Sequence, residues 1–370
     1  MNLDQSPLLV FYETTRACPL ACRHCRAEAM PDPLPGQLTT DQSKLFFEDL
    51  LRFGQRPPIL ILTGGDPLMR ADIFELCAYA SSIGITVALS PSVTPSLTTA
   101  NVRRLKDVGV SSMSISLDGA NAPTHENIRG VPGHFAQTVD AVLMLVDEGI
   151  TVQINTTVME INADELDTVA ALIKELKAAI WEVFFLIGVG RGKGLSALDA
   201  AGNEDVCHFL YDASRYGFTV RTVEAPFFRR VASERRRGRP APCGPLYRRL
   251  SHGLRERLGE PREAPRAGTA GTRDGKGIVF VSHAGDIYPA GFLPVSAGKV
   301  PTDSIVDVYR DHAVFASLRG GDFGGRCGRC DYREMCGGSR ARAFSVAGDP
   351  LAEDPGCIYV PLVEDVVGAG

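Results

Sequence analysis

Six short apolar runs, each followed by a longer stretch with helical spacing of its apolar residues, constrain the fold of this chain most strongly. The runs lie between residues 8 and 217 and read LLVFYET, ILILTGG, ITVALSP, SMSISLD, TVQINTTV and EVFFLIG. Strands that alternate with amphipathic helices indicate a parallel sheet with crossover helices. Six units are fewer than the eight that close a full barrel, so the pattern predicts an α/β fold with a partial (β/α)6 TIM-like barrel.

The alternation stops after residue 217, which predicts a second domain. GIVFVSHAGDIYPAGF is typical of a hairpin, DSIVDVYRDHAVFASLR is typical of a helix, and four cysteines follow them. We therefore expect a barrel over residues 1–217 and a smaller domain over residues 218–370. An Arg-, Pro- and Gly-rich stretch near residues 228–276 predicts a loop within the second domain.

Cysteine usage favours metal ligation over disulfides. The chain has 10 cysteines in 370 residues, and seven of them form two groups, one near each end. Disulfide frameworks are typical of small secreted chains, and the N-terminus MNLDQSPLLVFYE has no basic stretch before a signal-like apolar run. Cys77 and Cys207 lie alone in apolar helical patterns and are expected to be core thiols.

The first group places Cys18, Cys22 and Cys25 in a C-x3-C-x2-C run directly after the first predicted strand. Three thiolates can hold three irons of a cuboidal [4Fe-4S] cluster and leave the fourth iron open to an external ligand. A zinc site completed by His24 is an alternative, although His24 abuts Cys25 and zinc prefers wider gaps before its His ligands. A chance cluster of core cysteines is a further alternative.

These residues resemble the radical S-adenosylmethionine (radical SAM) enzymes, whose hallmark is C-x3-C-x-φ-C with an aromatic residue or His at φ. His24 holds that position here. The resemblance implies that the amine and carboxylate of S-adenosylmethionine chelate the fourth iron. It also implies that electron transfer to the sulfonium yields a 5'-deoxyadenosyl radical, so that the protein positions a cofactor that supplies the chemistry.

Further positions resemble cofactor-binding motifs of that family. Gly64, Gly65 and Asp66 follow the second run and resemble its GGE motif, which implies that backbone carbonyls and the Asp66 carboxylate hold the methionine amino group. A lone GGD is also an ordinary turn, but its place after a strand favours a site. The resemblance implies contacts with the ribose, the carboxylate and the adenine from three more residues, which are Ser116, Arg129 and Leu186. The alternative is that these residues have no cofactor role, and that Ser116 is a strand-end serine, Arg129 a surface arginine and Leu186 a core leucine.

The second cysteine group follows C-x2-C-x5-C-x20-C spacing through Cys327, Cys330, Cys336 and Cys357. Four thiolates close all four irons of a [4Fe-4S] cluster, and a four-cysteine zinc ribbon is the alternative. Beside a radical SAM loop, the spacing resembles the SPASM or twitch extension of that family, which carries auxiliary clusters.

The chain departs from the full SPASM pattern at two positions. Ala290 and Arg340 stand where that pattern has cysteines of a first auxiliary cluster. Two clusters are therefore expected rather than three. Cys243 is expected to lie outside both clusters, or to be at most an odd ligand.

The resemblance implies an oxidoreductase that abstracts hydrogen from an unactivated C–H bond of a small molecule. The stretch GGSRARA…GDPLAEDPGC is most similar to the heme synthase and heme d1 synthase group, which oxidises propionates of iron tetrapyrroles. A peptide-modifying SPASM maturase is the alternative, although many of these carry an N-terminal peptide-binding module, and only about seven residues precede the first predicted strand here. Natural-product dehydrogenases stay open. A zinc-bearing structural or nucleic-acid adaptor is the alternative from another class.

Charge is distributed unevenly along the chain. The net charge is -5, yet residues 226–276 carry 14 Lys or Arg against 5 Asp or Glu. Arginines with few interleaved aromatics in a Pro- and Gly-rich stretch favour a solvated linker over a nucleic-acid site. No segment approaches the ~20 apolar residues of a membrane helix, so we expect a cytoplasmic protein with no membrane partner and with a reductant such as flavodoxin or ferredoxin.

Overall fold

One sheet organises the molecule. The computed structural model describes residues 2–238, 243–268 and 271–361, and within them ten strands pair in the order β10-β9-β8-β1-β2-β3-β4-β5-β6-β7. The strands are β1 Leu9–Glu13, β2 Ile59–Thr63, β3 Val87–Leu89, β4 Ser112–Ser116, β5 Thr151–Val158, β6 Ile180–Phe185, β7 Thr219–Val223, β8 Ile278–Val281, β9 Asp286–Tyr288 and β10 Gly298–Lys299. From β8 through β1 to β7 every neighbour is parallel, whereas β9 and β10 are antiparallel. No pairing among the described residues joins β7 to β8, so the barrel is open.

Helices connect the parallel strands and continue into the C-terminal part. They are α1 Thr40–Leu50, α2 Ile73–Ser82, α3 Thr99–Asp107, α4 Ala122–Arg129, α5 His134–Asp147, α6 Leu166–Glu175, α7 Ala200–Ala213, α8 Phe228–Arg236, α9 Pro245–Leu258, α10 Ile305–Asp311, α11 Ala313–Gly320, α12 Gly325–Gly328 and α13 Arg340–Ala347. Several begin at side-chain caps, as in the capping box of Thr39 and Gln42 at α1. Within the described part of the chain, every helix is too short or too polar to cross a lipid bilayer.

The parallel α/β fold was predicted correctly, but the strand count was two short. β7 extends the sheet beyond residue 217 by pairing with β6, and β8 of the predicted hairpin pairs in parallel with β1. The polar composition of TVRTV concealed β7, since an edge strand needs few apolar residues. The parallel sheet therefore continues past the expected domain boundary.

The loop predicted near residues 228–276 was wrong over much of its length, because α8 and α9 lie within it. Phe228 and Val231 are buried on α8, and Leu250 and Leu254 are buried on α9. These apolar residues have helical spacing, which the surrounding arginines obscured in the composition. Part of this basic segment, residues 239–242 and 269–270, lies outside the described residues.

The two faces of the sheet differ in chemistry. Val10 and Tyr12 of β1 and Trp181 of β6 are buried in the main core, which they share with helix residues such as Phe46. The alternate residues of the same strands are half-buried and line the opposite, inner face. The ends of the strands and this inner face position the candidate site.

Candidate functional site

The first cysteine group lies on the loop after β1, at the carboxyl end of the sheet. Cys18 and Cys22 are buried, and Cys25 packs beside them. Each sulfur contacts a donor, because Leu20 N lies 3.4 Å from Cys18 Sγ, Ala29 N lies 3.5 Å from Cys25 Sγ and Arg129 Nη1 lies 3.6 Å from Cys22 Sγ. Burial raises the pKa of the Cys18 thiol, so a stable thiolate there requires a bound metal. The donor set suits sulfur ligands of an iron-sulfur cluster.

The glycines of the GGD loop bring the end of β2 against the cysteine loop. Gly65 N donates to Thr15 O at 2.8 Å, and Asp66 N donates to Ala17 O at 2.7 Å. A Cβ at Gly64 would lie 2.4 Å from Thr15 O, and one at Gly65 would lie 2.4 Å from Ala17 O. Only glycine permits this approach. The loop is therefore fitted to the backbone that carries Cys18.

We expect Gly65→Ala to displace the cysteine loop, because backbone atoms of Ala17 cannot move away from a Cβ as a flexible side chain could. Overpacking of this kind typically costs about 1–3 kcal/mol. Iron analysis after anaerobic reconstitution should show iron lost from the first cysteine group. Gly320→Ala is the matched control, since a Cβ there meets nothing within 4 Å. Equal iron content in both variants would show that residue 65 need not be glycine for the cysteine loop to hold iron.

Asp66 is fully buried, and protein donors occupy both of its carboxylate oxygens. Oδ1 accepts from Leu68 N at 3.1 Å and from Ser92 N at 3.3 Å, and Oδ2 accepts from Thr94 Oγ1 at 2.9 Å. Burial raises the pKa of this carboxyl. The carboxylate thus orders the loops after β2 and β3, which differs from the sequence expectation that it points at the methionine amino group.

Ser92 was missed from the sequence. Its Oγ lies 3.3 Å from Gly65 O and 3.7 Å from Cys18 Sγ, so it links the GGD loop to the first cysteine. The residue follows β3 in the stretch SPS. Applying the strand-end rule to this third strand, as to the first two, would have found it.

Arg129, predicted to grip a carboxylate, pairs with a carboxylate of the protein itself. Its Nη2 lies 2.5 Å from Asp118 Oδ2, and His24 Nε2 lies 3.3 Å from the same oxygen. Asp118 is 1% exposed and also accepts from Thr157 N at 2.7 Å. Burial alone would raise the pKa of Asp118, but the Arg129 guanidinium and His24 together hold it well below its usual range. Asp118 therefore positions two predicted cofactor contacts.

The other two predicted contacts lie at neighbouring strand ends. Ser116 is the last residue of β4, in register with Asn155 of β5. Leu186 follows β6 and packs against Ile128 and Met159. Both therefore lie near the carboxyl ends of the strands, as predicted.

Arg191, also missed from the sequence, fixes the cysteine loop from the side of β6. Its Nε donates to Cys22 O at 2.9 Å, its Nη1 donates to Ala29 O at 3.0 Å, and its backbone N donates to Cys25 O at 3.1 Å. The preceding Gly190 allows this contact, since a Cβ there would lie 2.6 Å from Cys25 O. The GRG stretch thus clamps the loop through its backbone carbonyls.

A buried carboxylate connects the cysteine loop to the C-terminal hairpin. Glu13 Oε1 lies 2.9 Å from Arg26 Nη2, and Glu13 Oε2 lies 3.3 Å from His283 Nδ1. Arg26 also lies 4.5 Å above the ring of Phe280 on β8. Burial would raise the pKa of Glu13, yet His283 and Arg26 hold it below its ordinary value. An ionised Glu13 thus links residues far apart in sequence.

A polar row crosses the inner face of the sheet below the cysteine loop. Asn155, Glu182 and Arg221 are in register on β5, β6 and β7. Gln153 Nε2 lies 2.8 Å from both Asn155 Oδ1 and Glu182 Oε2. Burial raises the pKa of Glu182, with the Arg221 charge opposing that shift. The row presents hydrogen-bonding and charged groups where a barrel interior would otherwise be apolar.

In the second cysteine group, Cys327 lies in α12, Cys330 and Cys336 lie on the loop between α12 and α13, and Cys357 follows α13. Asp354 N lies 3.3 Å from Cys327 Sγ, Tyr332 N lies 3.4 Å from Cys330 Sγ and Gly338 N lies 3.4 Å from Cys336 Sγ. Burial raises the pKa of Cys336 to about 12 and that of Cys357 to about 11. Three of the four sulfurs thus have backbone N–H donors, and a coordinated metal would counter the effect of burial on Cys336 and Cys357.

Three cysteines lie outside the predicted ligand sets. Cys77 is a buried core thiol, as predicted. Cys207 is likewise a buried core thiol on α7, as predicted. The thiol of Cys243 interacts instead with the charge of Arg235.

Neither cysteine group has the geometry of a single-ion site. Within the described ranges, no three His, Cys, Asp or Glu side chains converge as the ligands of one metal ion would. A cuboidal cluster instead needs thiolates arranged around four irons.

Comparison with known proteins finds a family model and full-length relatives. The model described as the Radical SAM superfamily matches residues 12–173. The AdoMet-dependent heme synthase of Nitratidesulfovibrio vulgaris is 37% identical over 97% of this chain and 94% of its own. The Fe-coproporphyrin III synthase of Methanosarcina barkeri is 29% identical over 96% of this chain and 88% of its own. Streptococcus suis SuiB bound to precursor peptide SuiA has a TM-score of 0.68 at 16% identity over 96% of this chain and 76% of its own, a likeness of fold alone.

Proposed function

Because this chain belongs to the radical SAM superfamily, we propose that it oxidises propionate side chains of an iron tetrapyrrole. The observation that carries the proposal is the 37% identity to an AdoMet-dependent heme synthase over 97% of this chain. That relationship extends over both cysteine groups and the sheet between them. It supports the same class of reaction for the whole chain, rather than for one domain of it.

As a radical SAM enzyme, the chain uses a [4Fe-4S] cluster and S-adenosylmethionine. When bound, these groups supply a 5'-deoxyadenosyl radical that can remove a hydrogen atom from an unactivated C–H bond. We assign the cluster ligands to Cys18, Cys22 and Cys25, whose sulfurs have N–H donors and whose loop is held by Arg191. Membership of the radical SAM superfamily excludes the alternative that the chain is a zinc-bearing adaptor without catalysis.

The residues proposed to bind S-adenosylmethionine surround the first cysteine group. Gly64 and Gly65 bring backbone carbonyls close to it, and Asp66 is a positioning residue that orders their loop through Ser92 and Thr94. Asp118 positions the side chains on its side of the site. The further proposed contacts are His24, Ser116, Arg129 and Leu186.

Oxidation of a propionate to a vinyl group must release a hydrogen atom, carbon dioxide and one electron. In balanced form, –CH2CH2COO⁻ gives –CH=CH2, CO2, H• and e⁻, and the H• joins the 5'-deoxyadenosyl radical. The remaining electron needs an acceptor. We assign that role to a second [4Fe-4S] cluster on Cys327, Cys330, Cys336 and Cys357, in a SPASM- or twitch-like domain over residues 218–370. A reductant such as flavodoxin or ferredoxin would supply the first electron.

The polar row on the inner face of the sheet, which consists of Asn155, Glu182 and Arg221, is the proposed substrate surface. Arg221 is exposed on the edge strand β7, and no described carboxylate lies within 4 Å of its guanidinium. Its in-register neighbour Glu182 is held by Gln153, and burial favours the protonated form of Glu182. The Arg221 charge is therefore available to a carboxylate ligand, for which a guanidinium fork is well suited.

We expect Arg221→Met to raise the KM for the tetrapyrrole about tenfold or more, since a hydrogen bond to a charged group contributes about 1.5–3 kcal/mol. The kcat should change less, because Arg221 would act on substrate binding rather than on hydrogen abstraction. Steady-state 5'-deoxyadenosine formation against tetrapyrrole concentration measures both values. Arg103→Met is the control, because Arg103 is exposed on α3 and pairs with Glu148. An unchanged KM in Arg221→Met would remove Arg221 from the substrate site.

An anaerobic assay with Fe-coproporphyrin III, S-adenosylmethionine and dithionite tests the proposed function. We choose this probe because it is a propionate-bearing iron tetrapyrrole named for one relative. Mass spectrometry should show products that have lost CO2 and two hydrogen equivalents per chain attacked, with 5'-deoxyadenosine formed in proportion. The substrate proposal would be overturned if the tetrapyrrole did not stimulate formation of 5'-deoxyadenosine and was not decarboxylated. The peptide-maturase alternative would then be tested with candidate peptides.

A further inference from the structure

Three arginines surround the second cysteine group without a carboxylate partner. Arg340 is 0% exposed, Arg273 is 5% exposed and Arg229 is half-buried. No carboxylate of residues 2–238, 243–268 or 271–361 lies within 4 Å of their guanidinium nitrogens. A buried cation without an anion costs several kcal/mol, so the site calls for negative charge from another source.

Arg340 is fixed in direct contact with the cysteine group. Its Nη2 lies 3.7 Å from Cys327 Sγ, and its remaining contacts are neutral carbonyls. Nε donates to Gly338 O at 3.2 Å, and Nη1 donates to Pro350 O at 3.0 Å and Ala352 O at 2.8 Å. The guanidinium also lies 4.4 Å from the ring centre of Phe323. These contacts hold its orientation but supply no negative charge.

Arg273 and Arg229 share this environment. Arg273 lies 5.5 Å from the same Phe323 ring and donates to Glu334 O at 3.4 Å. Arg229 donates to Met335 O at 3.0 Å, beside Cys336. Burial lowers the pKa of Arg273 and lowers that of Arg229 to about 10. Both guanidinium groups thus lack full compensation of their charge.

The carboxylates nearest to Arg340 are already engaged. Asp354 pairs with Arg342 at 3.1 Å and accepts from Ser339 N at 2.7 Å. Asp274 accepts from Ala341 N at 2.9 Å, and burial raises its pKa. The remaining group in direct contact with Arg340 is the sulfur of Cys327, so an anionic cluster bound there would supply the missing negative charge.

We infer that Arg340, assisted by Arg273 and Arg229, is the counter-charge of a four-thiolate iron-sulfur cluster and raises its reduction potential so that it can accept the electron released by the substrate. The inference rests on the proposed second cluster. Such a cluster carries net negative charge that grows by one on reduction, and nearby positive charge stabilises the reduced form more than the oxidised form. Arg340 stands where the fuller SPASM pattern has a cysteine of a different, first auxiliary cluster, so this position carries a cation instead of a thiol.

Gly338 makes the contact between Arg340 and the cysteine group possible. Its φ is +67°, and a Cβ there would lie 2.4 Å from Arg340 Nη2 and 3.1 Å from Cys327 Sγ. A side chain at this position would separate the guanidinium from the sulfur. The GGSR sequence is thus fitted to direct contact between charge and thiolate.

The test is a potentiometric EPR titration of the second cluster in full-length protein with Cys18, Cys22 and Cys25 changed to Ala, so that one cluster contributes the signal. Arg340→Gln should shift the reduction equilibrium toward the oxidised form about tenfold, which is about 59 mV for one electron. Arg340→Lys retains the charge and should stay close to the parent. Arg333→Gln is the control for charge alone, since Arg333 is 45% exposed near Cys330, where water screens it.

The outcomes distinguish failure of the proposed role of Arg340 from failure of the proposed second cluster. A parent protein that binds no iron would remove the proposed second cluster itself and leave the proposed substrate untouched. Equal potentials for the parent and Arg340→Gln, or equal shifts in Arg340→Gln and Arg333→Gln, would overturn the inference while the cluster stands. Loss of iron from both Arg340 variants would make Arg340 a structural support for the loop and would also overturn it.

Discussion

Replacing Cys18, Cys22 and Cys25 together by alanine should remove about four of about eight irons and abolish formation of 5'-deoxyadenosine. The three sulfurs lie on one loop, each beside an N–H donor, and the second cysteine group lies in a separate segment that includes α12 and the loops on either side of α13. The remaining irons should therefore stay with the second group. Iron and sulfide analysis and EPR of the dithionite-reduced protein measure this, with S-adenosylmethionine shifting the spectrum of the unaltered protein only.

Cys77→Ala provides the control for loss of a buried thiol. Cys77 is fully buried on α2 and lies outside both groups, so its removal should leave the iron content unchanged. If the triple variant kept its full iron content, the cluster ligands would have to be sought elsewhere. If it lost all of its iron, the second group could not hold a cluster independently of the first.

Much of the fold was accessible from the sequence because strands buried on one face and covered by helices have simple patterns. Each of the first six strands has apolar, aromatic or β-branched residues at its core-facing positions, and all six were predicted. β7 has Thr and Arg at inner-face positions, and β8 belongs to a hairpin that gave no sign of pairing with β1. Such long-range pairing depends on how the barrel curves, which local periodicity does not encode.

The candidate site was predicted where a residue type or spacing carries its own chemistry. Both cysteine groups and the GGD loop have that property. Asp118, Ser92 and Arg191 do not, because each acts by contacting a residue far away in the sequence. Asp118 is the last residue of the predicted run SMSISLD, which also contains Ser116, so the strand-end rule located the right segment but not the residue that organises it.

The loop of the first cysteine group is joined to the C-terminal hairpin through the sheet and through side-chain contacts. β8 pairs with β1, the strand that leads into the first group, and Glu13 at the end of β1 contacts His283 of the hairpin. Arg26 of the first cysteine loop lies on Phe280 of β8. The loop of the first cysteine group and the C-terminal hairpin therefore pack as one unit.

Asp118→Asn should destabilise the barrel by about 3 kcal/mol, because it leaves the buried Arg129 charge without its partner. Asn retains the size of Asp118 but cannot neutralise Arg129, 2.5 Å away, or His24. Trp181, the only tryptophan of the chain, is buried on β6 and donates to Thr156 Oγ1 at 2.9 Å. Its fluorescence during urea unfolding therefore reports on the barrel.

The pH dependence separates Asp118 from other groups. Its pKa is lowered in the folded protein, so its stabilisation is complete above the unfolded pKa of about 3.9 and fades as the pH falls below that value. At pH 8 the stability difference between the unaltered protein and Asp118→Asn should therefore be fully present. Asp164→Asn is the control, since Asp164 is 71% exposed and its pair with Arg249 should contribute at most about 1 kcal/mol. A difference at pH 8 no larger than that of the control would show that the Asp118 carboxylate does not hold Arg129 as the structure indicates.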